Sequence, residues 1–233
     1  MIPKILHQTA RTKTLSWEEN RLRQRAMRLL PGWEFILHDD DDNARLIAQS
    51  FPQIAAAFNA IKRGVVKADI ARCAYLSIMG GFYIDTDYKL LRTIDDTVLN
   101  HRCVLPVSRT GDVDSPAFRL GNAVMASEPG YPFWSDFIAD IFSKNDMTKI
   151  AEGSVEGLTG PEAVTAFYVK NRSRYPEINL PSRNLFHPEL RMGGIGSDRD
   201  RDTYGVHQCW GSWRSKSLTT NAKNFILRKV TAL

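Results

Sequence analysis

Cysteine is scarce in this chain of 233 residues: there are three, at positions 73, 103 and 209, with no Cys-x-x-Cys pair. An odd and sparse set argues against a disulfide framework and for a reducing compartment. Cys73 and Cys103 read as small buried hydrophobes. Long apolar runs are missing too. The longest apolar stretch free of Asp, Glu, Lys and Arg runs from Cys73 to Ile84, well short of the roughly 20 residues a membrane span needs. Met1–Gln8 lacks the apolar core of a signal peptide, and no repeat or low-complexity segment is visible. The expectation is a cytoplasmic chain, at most peripheral at the inner face of a membrane. Acid is missing from the last stretch: residues 203–233 hold Arg214, Lys216, Lys223, Arg228 and Lys229 but no Asp or Glu, which accounts for the whole net charge of +5. Such a tail suits a polyanion, a phosphate or an anionic membrane surface, with a solvated helix face as the plain alternative.

What is present is ordinary for a folded protein: 43% hydrophobic and 24% charged residues, enough for one α/β domain with a full core. The first half alternates strand and helix. Lys4–His7 is a short apolar run, and Ser16-x-x-Glu19 is a capping box followed by Leu22, Ala26, Leu29 and Leu30 at helical spacing. Trp33–His38 reads as a strand and Asp39–Asp42 as the start of a helix, whose dipole these acids suit. Ala55–Arg63 and Val65–Met79 read as helices, Gly80-Gly81 as a turn, and Phe82–Asp87 as a strand. That order implies a mainly parallel sheet. The second half is more irregular, with strands at Cys103–Val107 and Asn122–Ser127, a helix at Pro132–Phe142, and a second capping box at Thr159–Glu162.

Asp-x-Asp occurs six times among 17 Asp, so the bare pattern says little. The pair at Asp85 and Asp87 differs because it ends the apolar strand Phe82-Tyr-Ile84. A period of two sends both carboxylates to one face, about 6–7 Å apart. Such charge is costly at a strand end unless a cation neutralises it, and Mg²⁺ or Mn²⁺ carrying phosphates would do so. Surface ion pairing is the alternative. Upstream, Asp69 and Arg72 are neighbours on one helix face and can border the same crevice, which in open α/β sheets lies beyond the carboxyl ends of the strands.

Three blocks carry a family resemblance: Ile2-Pro-Lys-Ile-Leu-His-Gln-Thr9; Ala68-Asp-Ile-Ala-Arg72 through Gly80-Gly-Phe-Tyr-Ile-Asp-Thr-Asp87; and Val206-His-Gln-Cys-Trp-Gly-Ser-Trp213. Together they resemble glycosyltransferase family 32, the group with a DXD sugar-binding region that includes yeast mannosyltransferases and bacterial capsule and lipopolysaccharide enzymes. The resemblance implies a GT-A fold, a UDP- or GDP-hexose donor, a saccharide or lipid-linked acceptor, Mn²⁺ or Mg²⁺, and retention of anomeric configuration. It implies one domain over residues 1–233: a nucleotide-sugar half (1–90), an acceptor half (91–202), and a lid with the basic tail (203–233). It further implies that His7, Gln8 and Thr9 border the nucleobase, and that Asp69 and Arg72 hold ribose and sugar. Tyr83 lines the donor pocket and Asn122 faces the sugar. Asp85, Asp87 and His207 form the metal site, with Asp85 also reaching ribose or sugar, while Trp210, Ser212 and Trp213 close over the diphosphate. Ala10 and Gln208 depart from the family pattern, which often has Trp and a second His there.

The competing readings are a HAD-type phosphohydrolase, disfavoured by Lys89 and the internal position of the pair, and a non-enzymatic nucleotide-sugar or polyanion-binding module. No RNP, zinc-finger or helix-turn-helix signature supports nucleic acid binding. His207-x-Cys209 lacks a second ligand pair for zinc, and His38, His101 and His187 read as structural or surface groups.

Overall fold

A computed structural model describes residues 1–147, 155–188 and 202–210. β1 (Ile5–Thr9) leads into α1 (Trp17–Leu29), where Ser16 and Glu19 form both halves of the expected capping box. β2 (Glu34–His38) is followed by α2 (Asp40–Ser50), capped by Asp39 and Asp42 in a second box. The Asp39–Asp42 run is thus a helix start, and Asp42 also pairs with Lys13 and Arg45. α3 (Ala55–Ala60) and α4 (Gly64–Ile78) precede β3 (Gly81–Ile84) and β4 (Tyr88–Leu90). The second half adds α5 (Asp96–Leu99), β5 (Cys103–Val104), β6 (Val107–Arg109), β7 (Arg119–Leu120) and β8 (Val124–Ser127). After these come α6 (Pro132–Lys144), α7 (Val155–Leu158), α8 (Pro161–Asn171), β9 (Ile178–Asn179), α9 (Arg183–Phe186) and β10 (Gly205–His207).

The main sheet has the order β2-β1-β3-β8-β5-β9. β1 runs parallel to β2 and β3, and β5 parallel to β9, because helical crossovers return the chain to the same edge. β8 runs against both β3 and β5, so the mainly parallel sheet carries one reversed strand at its centre. Alternation divides the core: Tyr83, Cys103 and Met125 face the cluster under α2, α4 and α6, while Phe82, Ile84, Val104 and Val124 face the one under α1. α4 is buried almost all round, including Asp69 and Arg72, which fits a helix without a clear polar face. It stops at Gly80 and Gly81, with φ of 65° and 90°. A Cβ on Gly81 would lie 2.6 Å from the Ile5 carbonyl oxygen, so glycine lets the helix turn straight into β3.

Two expected elements are revised. The strand meant to reach Asp87 ends at Ile84. The Tyr88 N–H closes a turn on the Asp85 carbonyl at 3.0 Å, and β4 leaves the sheet to pair with β10. The capping box expected at Thr159–Glu162 does not form: Gly160 caps α8 without a side-chain bond. No helix among the described residues is long and apolar enough to cross a membrane. The basic tail lies outside the described residues, as do Ser212 and Trp213.

His7 and His38 form a buried pair behind the ends of β1 and β2. The Gly80 carbonyl can only accept, so His7 Nε2–H donates to it at 3.0 Å. His7 Nδ1 then accepts from His38 Nε2–H, also at 3.0 Å. His38 stacks on Tyr75 with ring centres 3.5 Å apart. Burial pushes His7 down to about 4; burial, then the neighbouring His7, pushes His38 down to about 3. Both pKa values fall below the ordinary 6.5, so the unfolded chain takes these protons first. Stability from this pair is full above about pH 6.5 and drains away as pH falls through about 4 toward 3. Urea unfolding across that window should show the decline, and His38→Phe should flatten it.

Candidate functional site

A crevice of about 860 Å³ opens beyond the carboxyl ends of β2, β1 and β3. Thr9, Ala10, Asp69, Arg72, Tyr83, Asp85, Asp87, Asn122, His207 and Trp210 all line it. His7 and Gln8 do not. His7 is fully buried beneath α4 in the histidine pair, and Gln8 points to the other face, where its Oε1 accepts from Arg23 at 2.7 Å. Only the last residue of β1 reaches the crevice: alternation sends Gln8 to the opposite face, and His7, on the same face as Thr9, is held deeper by His38 and the Gly80 carbonyl.

Arg72 is the hub. Its Nη2 lies 3.1 Å from Asp69 Oδ1 and 3.3 Å from Asp85 Oδ1. Its Nη1 donates to the Asn122 carbonyl at 2.7 Å, and its guanidinium covers the Tyr83 ring at 4.6 Å. Burial works against this charge, but Asp85, Tyr83 and Asp69 outweigh it and raise the pKa. Asp69 is satisfied on both oxygens: Asn122 Nδ2 donates to Oδ1 at 3.0 Å and the Thr159 hydroxyl to Oδ2 at 2.9 Å. Thr159 therefore spends its hydroxyl on Asp69 rather than on capping α8. Its partner lies 90 positions away, and no local pattern announces that. Tyr83 donates to Asp85 Oδ1 at 2.8 Å and accepts from Thr9 at 3.0 Å.

Asp85, Asp87 and His207 bring ligand atoms within 4.8 Å of one another. His207 Nε2 is 3.1 Å from Asp87 Oδ1 and 3.7 Å from Asp85 Oδ2. Asp87 Oδ2 accepts the Trp210 N–H at 2.9 Å. Burial opposes the His207 charge, yet the bond and charge of Asp87, with Cys209, hold its pKa well above the ordinary value. Burial raises Asp85; it also opposes the Asp87 charge, but His207 and the Trp210 N–H keep Asp87 low. The His207 ring nitrogen therefore stands beside both carboxylates, where a bound cation would also lie. With His207 neutral, as a ligand must be, Asp69, Asp85 and Asp87 against Arg72 leave two negative charges. Two carboxylate oxygens, one imidazole nitrogen and that deficit fit a divalent ion. A metal ion held there would have to displace the His207 proton.

His207 is fixed by β10, which pairs it with Tyr88. The described part of the expected lid, residues 206–210, thus starts as a strand. Gly205 serves close approach rather than a hinge: a Cβ there would sit 2.3 Å from the Tyr88 ring. Trp210 is buried against Leu22. Gln208 is buried, with its Nε2 3.4 Å from the Val206 carbonyl and its N–H on the Asp87 carbonyl at 3.1 Å. Cys209 Sγ lies 3.4 Å from His207 Nδ1, which orients the ring.

Comparison with known proteins agrees with this arrangement. Residues 16–105 match the family described as glycosyltransferase sugar-binding region containing DXD motif. The mannosyl phosphorylinositol ceramide synthase CSH1 of Saccharomyces cerevisiae is 30% identical over 161 residues, 69% of this chain and 41% of that protein. The inositol phosphoceramide mannosyltransferase 2 of Schizosaccharomyces pombe is 27% identical over 192 residues, 82% of this chain and 52% of that protein. The chain thus spans about half or less of these relatives. Among solved structures, the PaToxG glycosyltransferase superposes with a TM-score of 0.54 at 18% identity, covering 75% of each chain. The ligand-free glycosyltransferase domain of the YGT toxin gives 0.55 at 10%, covering 77% of this chain and 79% of that one. The fold is GT-A, and residues 16–105 of this chain match the glycosyltransferases with a DXD-containing sugar-binding region.

Proposed function

We infer that this chain transfers a hexose from a UDP- or GDP-linked donor to a hydroxyl of a saccharide or glycolipid acceptor, using a divalent ion held by Asp85, Asp87 and His207. The observation that carries this is the convergence of those three side chains in the crevice, beside the Arg72 network. Mn²⁺ suits the mixed oxygen and nitrogen donors, with Mg²⁺ the second choice. Such an ion, when bound, supplies positive charge against the leaving diphosphate.

The chain's own residues do the rest. Arg72 stays charged at any working pH and offers a fixed cation at the crevice wall. Asp69 and Thr159 hold it from behind, so the carboxylate acts as a clamp more than as a free acceptor for ribose hydroxyls. Asn122, tied to both Asp69 and Arg72, turns its strand edge toward the sugar. Thr9 and Ala10 border the base, where Ala10 gives no aromatic stack.

Asp69, Asp85 and Asp87 are each engaged by donors, which disfavours these three as a sugar nucleophile. That favours a same-face substitution with retention. The bond from the sugar to the phosphate breaks as the bond to the acceptor oxygen forms, and the acceptor proton passes to the departing phosphate. The same engagement of Asp85 speaks against a phosphohydrolase nucleophile there. The relatives' names carry mannosyl transfer and inositol phosphoceramide. Mannose transfer to a phosphoinositol headgroup is therefore the first pair to test, ahead of capsule or lipopolysaccharide acceptors. A glycolipid acceptor also gives the basic residues 214–233 an anionic leaflet to meet.

A donor panel read by nucleoside diphosphate release with Mn²⁺ tests the assignment, and a binding module would release none. Asp87→Asn should abolish release without loss of fold, and chelation should do so reversibly; full activity of Asp87→Asn in chelator would overturn the metal assignment. Arg72 is buried, so Arg72→Ala strands two carboxylates and should lose about 3–5 kcal/mol in urea unfolding. An exposed helical ion pair would lose only about 0.3–0.5 kcal/mol. Arg72→Lys keeps the charge without the fork and should raise the donor KM in folded protein.

A further inference from the structure

Glu19 completes a capping box, with its Oε2 accepting the Ser16 N–H at 2.9 Å. Its other oxygen is not idle. Oε1 accepts from the Thr86 hydroxyl at 2.8 Å, and Thr86 is the middle residue of Asp85-Thr86-Asp87. One helical turn further, on the same face of α1, Leu22 packs against Trp210. The Trp210 N–H in turn holds Asp87 Oδ2. The first turns of α1 thus grip the acidic turn from two sides, through a side-chain bond at its crest and through the residue that caps Asp87.

We propose that Glu19 is a positioning residue for the metal-ligating pair, acting through Thr86. The inference rests on the metal reading above but concerns a group outside the ligand set. Asp85 sits at the end of β3, yet Thr86 and Asp87 lie in a turn that has left the main sheet. Its backbone is held on either side of Thr86: the Tyr88 N–H closes on the Asp85 carbonyl at 3.0 Å, and the Asp87 carbonyl accepts from the Gln208 N–H at 3.1 Å. The Thr86 side chain supplies the anchor between those two bonds. Fixing it on α1 stiffens the crest of the turn, so that both carboxylates meet His207. Glu19 suits the task because its two oxygens serve two masters: one is anchored to the start of α1, the other reaches the turn. Valine at position 86 would match threonine in shape but has no O–H to donate. Hydrogen-bonded partners behind metal ligands commonly matter about 10–100-fold in metal affinity.

Two measurements on the full chain test this: Mn²⁺ affinity by electron paramagnetic resonance, and amide exchange of residues 85–88 in metal-free protein. Glu19→Ala and Thr86→Val should each weaken Mn²⁺ binding by about tenfold or more and speed exchange at 85–88. The double variant should be no worse than either single one, since both remove the same bond. Thr86→Ser and Glu19→Gln, which keep a hydrogen-bonding partner, should stay near the original protein. A lower Tm in Glu19→Ala with affinity and exchange unchanged would make Glu19 a helix cap only and overturn the proposal. Equal loss in Glu19→Gln and Glu19→Ala would overturn it too, because charge rather than position would then be at work. If the unaltered chain binds no Mn²⁺, the metal reading falls, while exchange at 85–88 still decides for or against positioning.

Discussion

The buried guanidinium of Arg72 is the constraint around which the site is arranged. A cation with almost no exposure is tolerable only if every N–H finds an acceptor. Asp69, Asp85 and the carbonyls of Asn122 and Ala68 meet that demand. The four acceptors come from three places: α4 itself, the end of β3, and the segment before β8. Satisfying one side chain therefore brings three parts of the chain to common positions. The reversed direction of β8 contributes here, because it delivers Asn122 to the same edge at which β3 ends. A parallel strand would have carried that residue to the opposite edge.

Much of the first half is legible from its residues, for physical reasons that differ from element to element. The capping boxes at Ser16–Glu19 and Asp39–Asp42 are local chemistry, and they mark α1 and α2 to within a residue or two. Gly80-Gly81 announces a turn because only glycine sits easily at positive φ. The Asp69–Arg72 spacing predicts a contact, though not that it is buried: the pair is enclosed by Tyr83, Asn122 and Thr159, which sequence spacing around α4 does not describe. The Asp-x-Asp pair stands out against a background of like patterns because an apolar strand precedes it.

What was not legible is equally specific. Period-two alternation carried through Asp87 places the acidic pair on a strand, whereas the chain turns at Thr86; the pair converges through tertiary bonds from Trp210 and His207. Thr159 has the spacing of a cap and serves as a brace for Asp69. His7 lies in a recognisable block, yet its side chain is committed to His38 and Gly80, away from the crevice. In each case a local rule holds until a distant partner offers a better bond. That partner lies between 31 and 123 positions away.

The pairing of β10 with β4 has a further consequence, in chain connectivity. The bond from the Trp210 N–H to Asp87 spans 123 positions, and it joins the ladder in closing most of the second half into one loop. The entropy of closing a loop rises only with the logarithm of its length, roughly 0.6 kcal/mol for each doubling. The surface loops of the intervening segment can therefore lengthen or shorten at small thermodynamic cost, provided β8, Asn122 and Thr159 keep their places and the two ends still meet at β4 and β10. The acidic pair and His207 are fastened at the clasp, and the loops strung between its ends are free to be redrawn.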